Sequence, residues 1–157
     1  MTKLTTAAQA IARVRDGDTL LIGGFLQVGS PETLVNALLS ASTAQNLTLV
    51  SNDSGTACTK TIQVMRQGRI KKVCASYIGA NPLTQAMLLD DPASVELVPQ
   101  GTLAERIRAG GAGIPGFYTP TGVGTMVEQG KEKRVIGGVE CLLEQAIRGD
   151  VALVYAT

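Results

Sequence analysis

The stretch TLLIGGFLQVGSPE, residues 19–32, decides the fold of this chain. Its first four residues form a short apolar run that ends at two glycines, a pattern that is typical of a buried strand in a parallel sheet. Ser30, Pro31 and Glu32 then predict the start of a helix, with Ser30 as its N-cap and Pro31 at its first position. The stretch therefore predicts a strand, a glycine-rich loop and a helix in succession.

Strands and helices alternate on both sides of this stretch. An alanine-rich helix is expected over residues 6–14, and the helix that starts at Ser30 should run to about Ala41. The elements predicted after it are strand Leu47–Val50, helix Thr59–Gln67, strand Ile70–Tyr77, helix Leu83–Leu89, strand Val95–Val98 and helix Leu103–Ala109. This alternation predicts an α/β fold, in which an open, mostly parallel sheet carries helices on both faces.

The pattern changes in the last third of the chain. Glycines and prolines interrupt every period between Gly110 and Gly130, which predicts either a long functional loop or two short strands. Residues Glu140–Gln145 are rich in apolar side chains, and Val151–Tyr155 form an apolar strand. Because such a strand normally has neighbours on both edges, we expect a single domain, residues 1–157, whose C-terminal strands are missing or are supplied by another polypeptide.

Composition excludes several classes of function. The 157 residues carry a net charge of +1 and only 3% aromatic residues, which leaves neither a basic surface nor stacking platforms for nucleic acid. No apolar run approaches the ~20 residues that span a bilayer, and the first residues do not resemble a secretory signal. We therefore expect a soluble, cytoplasmic protein that binds neither nucleic acid nor a membrane.

Histidine is absent, which excludes Ser-His and Cys-His nucleophile pairs and every His-containing metal site. Cys58, Cys74 and Cys141 are widely separated and include no C-x-x-C motif. This usage is typical of a reducing compartment, and all three thiols are expected to be buried. No two carboxylates are paired in the sequence, so neither an acid–base dyad nor a metal site is predicted.

Three predicted strand ends carry residues suited to binding. In an open parallel sheet, ligands bind where strands end and loops meet helix N-termini. The loop from Gly23 to Gly29 allows close backbone approach, and the helix after it offers N–H groups to an anion or oxyanion. Its glycine spacing matches neither a dinucleotide fingerprint nor a P-loop. A turn that needs glycine only for tightness is the alternative interpretation.

The other two strand ends carry amide side chains. In Ser51-Asn52-Asp53, the serine and asparagine could hydrogen-bond a carbonyl oxygen while Asp53 orients them. An Asx turn that caps the next helix is an equally good interpretation. Gln100, after the strand that ends at Val98, could act as a neutral amide donor. Glu105 and Arg108 have the spacing of a surface ion pair on a helix.

Several blocks of this sequence together resemble the α subunit of class I coenzyme A transferases, and they run in order across nearly the whole chain. The blocks are DGxxLLIGGFxxxGxP from Asp16, SND from Ser51, ASYIGxNP from Ala75, PQGTLAERIRAGGAG from Pro99, FYTPTGVGT from Phe117 and LExAIRxD from Leu143. The variants SND and TGVG are most similar to acetate- or butyrate–acetoacetate transferases. The alternative is the equivalent subunit of a succinyl-CoA:3-ketoacid or 3-oxoadipate transferase.

The resemblance implies the coenzyme A transferase (NagB/RpiA-like) fold and transfer of CoA between carboxylates by a ping-pong route. The route passes through an acyl anhydride and a glutamyl thioester. In the family the nucleophilic glutamate belongs to a β subunit, in an E-x-G motif. Glu128-Gln129-Gly130 fits that motif by letter only, so the resemblance implies no catalytic residue in this chain.

The resemblance also assigns binding residues. The residues implied to contact CoA are Gly23, Gly24, Phe25, Leu26, Gln27, Val28 and Gly29, and those implied to bind the acyl side are Asn52, Gln100 and Gly101. CoA is then a substrate, no cofactor is bound covalently, and the partners are a β subunit, acyl-CoA and a short-chain carboxylate or 3-oxoacid. A non-catalytic ligand-binding domain with the same fold is the second hypothesis, and a nicotinamide-dependent oxidoreductase is disfavoured by the glycine spacing.

Overall fold

The computed structural model describes residues 3–26 and 28–156 of the chain. These residues form two compact units. The first contains the residues up to Glu96 together with those from Gly149 onward, and the second contains Leu97–Arg148. The single-domain organisation stays a prediction, and each unit is described by itself.

The first unit is built on a five-stranded sheet. Its helices are α1 (Ala7–Ile11), α2 (Glu32–Ala41), α3 (Lys60–Arg66) and α4 (Pro82–Asp90), and its strands are β1 (Thr19–Ile22), β2 (Leu47–Asp53), β3 (Ile70–Tyr77), β4 (Val95–Leu97) and β8 (Val151–Leu153). The strand order is β4-β3-β2-β1-β8, and β1 runs parallel to both β2 and β8. The predicted α/β fold with an open, mostly parallel sheet is therefore confirmed.

The core of this unit explains why the apolar strands are short and continuous. Leu20 of β1 lies opposite Leu49 of β2 and Val151 of β8 in the sheet register. Leu20 and Leu49 are fully buried, together with Val35 and Leu38 of α2. Each buried leucine contributes about 1.5–3 kcal/mol through the removal of its apolar surface from water.

Arg69 is a buried cation that ties α2 to the turn before β3. Its Nη1 donates to the Leu38 carbonyl at 2.8 Å, and its Nε donates to the Ala44 carbonyl at 2.8 Å. These carbonyls lie at and just after the C-terminal end of α2, where helical partners are lacking. Burial lowers the pKa of the Arg69 guanidinium from its ordinary value.

The second unit contains one helix and a three-stranded antiparallel sheet. Its elements are α5 (Gln100–Gly111), β5 (Gly116–Thr119), β6 (Lys133–Ile136) and β7 (Val139–Gln145), and the strand order is β5-β7-β6. Gly137 and Gly138 join β6 to β7 with φ angles of 58° and 82°. Positive φ at both positions matches a type I′ hairpin turn, which glycine adopts without strain.

A buried carboxylate and a close backbone contact hold α5 against β7. Glu144 is 1% exposed, accepts a bond from Lys131 Nζ at 2.6 Å and lies 3.9 Å from Arg106 Nε. Arg106 Nε donates to the Gln145 carbonyl at 2.7 Å. A Cβ on Gly110 would lie 1.9 Å from the Ile147 carbonyl oxygen, so only glycine fits at this crossing.

Four sequence expectations differ from the structure. Pro31, not Ser30, is the N-cap of α2, because the Ser30 hydroxyl donates to the Glu32 carboxylate instead of accepting a backbone N–H. Helix α5 begins at Gln100 rather than Leu103, and β6 is a strand that the sequence pattern did not predict. Cys58 is exposed, whereas Cys74 and Cys141 are buried as expected.

Candidate functional site

The loop after β1 contains a glycine that no other residue could replace without displacing the backbone. Gly24 has φ +106°, and a Cβ built on it would lie 2.9 Å from the Ser30 nitrogen. Both the conformation and the lack of space therefore require glycine. Gly29, with φ +71°, has a left-handed conformation but no atom closer than 3.9 Å to a built Cβ. The loop is thus folded tightly against its own second half.

The tip of this loop is closed by two backbone hydrogen bonds. The N–H of Phe25 donates to the Val28 carbonyl at 3.0 Å, and the N–H of Val28 donates to the Phe25 carbonyl at 3.0 Å. Leu26, inside the turn, has φ +45°, which is unfavourable for a leucine. Gln27 lies outside the described residues, and so does its predicted contact with CoA.

Two consecutive residues at the end of β2 hold the loop. Asn52 Nδ2 donates to the Gly24 carbonyl at 3.1 Å. Asp53 Oδ2 accepts from the Leu26 N–H at 2.5 Å, and its Oδ1 accepts from the Gly55 N–H at 2.7 Å. The carboxylate thereby joins the loop after β1 to the loop after β2.

Neighbouring hydroxyl groups fix the backbone of these two residues. The Ser51 hydroxyl donates to the Asp53 carbonyl, and the Ser76 hydroxyl of β3 donates to the Asn52 carbonyl at 2.7 Å. Tyr77, which follows Ser76, places its ring centroid 6.1 Å from that of Phe25 with the planes tilted by 55°. Three adjacent strands therefore contribute to the support of one loop.

The cleft beside the loop is small. Its volume is about 20 Å³, and it is lined by Ile22, Gly23, Gly24, Phe25, Ser30, Ser51, Asp53, Gly55, Thr59 and Thr61. Such a volume holds about one water molecule, whereas sites that enclose a small-molecule ligand measure ~300–1,000 Å³. The first unit therefore offers a shaped surface at the carboxyl ends of β1 and β2 rather than an enclosed pocket.

The structure brings together only part of the predicted site. Gly24, Leu26 and Asn52 meet through the hydrogen bonds described above. The amides of Phe25, Leu26 and Val28 are engaged within the protein, so these three are not offered to an anion. The binding roles of the loop residues stay predictions. Asp53, which the sequence suggested only as an orienting group, is the main support of the loop.

The remaining predicted binding residues lie in the second unit. Gln100 and Gly101 are the first two residues of α5, and both are exposed. A Cβ on Gly101 would meet no atom within 4 Å, so packing does not require glycine there. Their predicted contact with the acyl group stays a prediction.

Glu128 is a structural carboxylate. It ends a short 3-10 turn, Met126–Glu128, and its Oε2 lies 2.8 Å from Lys133 Nζ and accepts from the Gly124 N–H at 2.6 Å. The hydrogen bond from Lys133, followed by that from Gly124, holds the pKa of this carboxyl below its ordinary value. The predicted surface pair of Glu105 and Arg108 is also present, at 2.7 Å.

Metal centres and membrane spans are both lacking in the described part of the chain. Within residues 3–26 and 28–156, no group of three or more acidic, cysteine or histidine side chains is arranged to hold a metal ion. Over the same residues, no helix has the length and apolar character needed to cross a membrane.

Comparison with known proteins places this geometry in a family. The family model described as coenzyme A transferase matches residues 4–157, which is almost the whole chain. The chain belongs to the coenzyme A transferase family. The glycine loop that Asn52 and Asp53 hold is therefore a feature of a coenzyme A transferase fold.

Curated relatives are similar over nearly the whole chain. It is 48% identical over 155 residues to the alpha subunit of the acetate CoA-transferase of Escherichia coli K12, covering 99% of this chain and 70% of that protein. It is 48% identical over 153 residues to one subunit of a probable succinyl-CoA:3-ketoacid coenzyme A transferase of Bacillus subtilis, covering 98% and 64%. It is 47% identical over 140 residues to the acetoacetyl-CoA:acetate/butyrate CoA transferase alpha subunit of Clostridium acetobutylicum, covering 89% and 64%. The chain thus spans about two thirds of the length of these coenzyme A transferase subunits.

Solved structures show the same fold at lower sequence identity. The acyl-CoA transferase YdiF apoenzyme from Escherichia coli O157:H7 matches with a TM-score of 0.79 at 23% identity, over 95% of this chain and 33% of that one. Glutaconate coenzyme A-transferase from Acidaminococcus fermentans matches with a TM-score of 0.72 at 17% identity, over 96% of this chain and 55% of that one. These likenesses establish the coenzyme A transferase fold for the chain.

Proposed function

We propose that this chain is the α-type subunit of a short-chain acyl-CoA:3-oxoacid coenzyme A transferase, and that a β-type subunit supplies the attacking glutamate. The observation that carries the proposal is 48% identity, over 98–99% of the chain, to proteins named as one subunit of such transferases. The absence of histidine and the structural use of Glu128 agree with a chain that supplies no nucleophile.

The substrate class follows from the same relatives. Their names include acetate, acetate or butyrate with acetoacetyl-CoA, and succinyl-CoA with a 3-ketoacid, at 47–48% identity. We propose acetate or butyrate with acetoacetate as the exchanging acids, because the SND and TGVG variants resemble those enzymes. In a succinyl-CoA enzyme the same α-type chain would take a dicarboxylic donor.

In such a transfer the glutamate carboxylate attacks the acyl-CoA carbonyl, an acyl anhydride forms and the CoA thiolate leaves. The thiolate then attacks the glutamyl carbonyl, which forms a glutamyl thioester and releases the carboxylate product. The second acid reverses these two steps and carries CoA away. An oxyanion develops at each attack, so groups that position CoA and hydrogen-bond the carbonyl oxygen accelerate the transfer.

The chain's own contribution is positioning. The loop Gly23–Gly29 would lie against CoA through its backbone and its exposed tip, where Val28 is 80% exposed. Asn52, Gln100 and Gly101 would lie on the acyl side. The small cleft beside the loop fits this role, because a ligand as large as CoA would rest on the sheet edge rather than enter it.

The test is reconstitution with a β-type subunit that carries the E-x-G glutamate. The chain alone should transfer no CoA from acetoacetyl-CoA to acetate, and the complex should do so. Replacing the partner's glutamate with glutamine should abolish transfer, whereas Glu128→Gln in this chain should leave it unchanged. Transfer by the isolated chain, or a complex that binds CoA but never transfers it, would overturn the proposal; the second outcome would indicate a ligand-binding domain.

A further inference from the structure

Leu26 adopts a backbone conformation that its side chain disfavours. Its φ is +45°, and Asn46 is the only other non-glycine residue with positive φ in the part of the chain that the structure describes. The left-handed region brings Cβ close to the following carbonyl oxygen, so a leucine remains there only when its surroundings fix it. The surroundings of Leu26 must therefore supply the fixing contact.

Asp53 supplies that contact. Its Oδ2 accepts from the Leu26 N–H at 2.5 Å, while its Oδ1 is anchored by the Gly55 N–H at 2.7 Å. The carboxylate is 9% exposed, and a bond to an ionised acceptor is about twice as strong as one between neutral groups. Asn52 fixes the same loop two residues earlier through the Gly24 carbonyl, at 3.1 Å.

The charge of Asp53 argues against direct contact with substrate. Acyl acceptors of the proposed reaction are carboxylates and CoA carries phosphates, so an inward-facing carboxylate would repel both. Both oxygens of Asp53 are instead held by backbone N–H groups of the protein. A group with this arrangement can act on substrate only through the loop that it holds.

We propose that Asp53 is a positioning residue, which locks Leu26 in its left-handed conformation and so holds the loop Gly24–Gly29 in the form that binds acyl-CoA. The inference rests on the proposed function for its ligand, but its structural part concerns this chain alone. Loss of the lock should weaken acyl-CoA binding more than it slows the transfer step, because the loop would have to become ordered when CoA binds, which weakens the net affinity.

The perturbation is Asp53→Asn, tested in the complex of this chain with a β-type subunit. Asparagine has one oxygen and one NH₂ group, so either Leu26 or Gly55 loses its acceptor while the side-chain volume is kept. We expect KM for acetoacetyl-CoA to rise about tenfold, with kcat within about twofold, and the exchange of the Leu26 amide hydrogen to accelerate at least about tenfold. The exchange measurement needs no activity.

A double-mutant cycle separates the lock from a direct contact. Glycine tolerates positive φ, so in a Leu26→Gly background the lock has less to hold, and Asp53→Asn should then raise KM by less than about threefold. If Asp53→Asn alone does not fold, the comparison of the double variant with Leu26→Gly still measures the coupling. Equal effects of Asp53→Asn in both backgrounds would overturn the lock.

The matched control is Asp16→Asn. Asp16 Oδ1 also accepts from a backbone N–H, that of Gln45 at 2.8 Å, but it precedes β1 rather than following β2. It should affect stability without changing KM for acetoacetyl-CoA. Unchanged amide exchange in Asp53→Asn would overturn the lock, and faster exchange with unchanged KM would overturn its link to binding. A wild-type complex without transfer would overturn the proposed function alone, and CoA titration calorimetry would then replace KM.

Discussion

Two adjacent glycines near the end of α5 make a matched pair, and the difference between them tests the packing of the second unit. A Cβ on Gly110 would lie 1.9 Å from the Ile147 carbonyl oxygen and 2.8 Å from its carbon, whereas a Cβ on Gly111 would meet nothing within 4 Å. Neither glycine has positive φ. Replacing each with alanine therefore changes the same group in the same helix and differs only in the space available.

The magnitude follows from the distances. An ordinary carbon–oxygen contact is about 3.3 Å, so Gly110→Ala requires the Ile147 carbonyl to withdraw by roughly 1.4 Å. This movement strains the Ile147 N–H bond to the Arg106 carbonyl, now 2.9 Å, which contributes about 1 kcal/mol. Overpacking costs a further ~1–3 kcal/mol, and the helical preference of alanine over glycine returns ~0.5–1 kcal/mol. The net loss should be about 2–3 kcal/mol, whereas Gly111→Ala should gain up to ~1 kcal/mol.

The assay is urea and thermal denaturation followed by circular dichroism, with the wild-type chain and both variants measured together. For a chain of this size, 1 kcal/mol shifts Tm by roughly 2–4 °C, so the two variants should differ by roughly 6–12 °C. Gly110→Ala should lie below the wild type and Gly111→Ala at or above it. Equal midpoints for the two variants would refute the close crossing of α5 and the segment after β7.

Three further predictions concern charged side chains. Glu144→Gln removes the carboxylate that two cationic side chains share and should lower the free energy of unfolding by about 3 kcal/mol in urea titrations; a loss below ~1 kcal/mol would contradict the buried network. Arg69→Lys cannot reach both carbonyls that the guanidinium holds, and should cost about 2–4 kcal/mol by the same measurement. Because the pKa of Glu128 is lowered, its bonds persist above the ordinary glutamate pKa and are lost only as pH falls through the lowered value. The Gly124 amide proton should report that midpoint by NMR, and Lys133→Met should move it upward; an unmoved midpoint would contradict the pairing.

The parallel sheet and its binding edge were predictable because they depend on local patterns. Short apolar runs that end at glycine or polar residues specify buried parallel strands, and the carboxyl ends of such strands share one edge. The sequence therefore placed Gly24 and Asn52 in one region, and the structure joins them by a hydrogen bond of 3.1 Å. The family resemblance, which rests on blocks in order, was confirmed by the match to residues 4–157.

Strand β6 was missed for a physical reason. All four residues from Lys133 to Ile136 are exposed, and two of them are charged, so the strand carries no buried apolar face. Its signal lies instead in the turn, since Gly137-Gly138 between apolar residues favours a two-residue hairpin. Considering the turn before the strand would have predicted both β6 and the start of β7.

The support of the loop could not be predicted, because it depends on conformations that the residue types disfavour. Leucine gives no sign of positive φ at Leu26, and the partners of Asp53 are backbone groups whose directions only the folded loops define. Asn52 and Asp53 are adjacent and similar in shape, yet the sequence favoured the asparagine as the binding residue and the aspartate as its helper. The hydrogen bonds separate their roles: an acceptor whose two oxygens are both held by the protein's own amides is suited to fixing a loop. The same criterion, applied to any polar residue at a strand end, distinguishes support from recognition before a ligand is known.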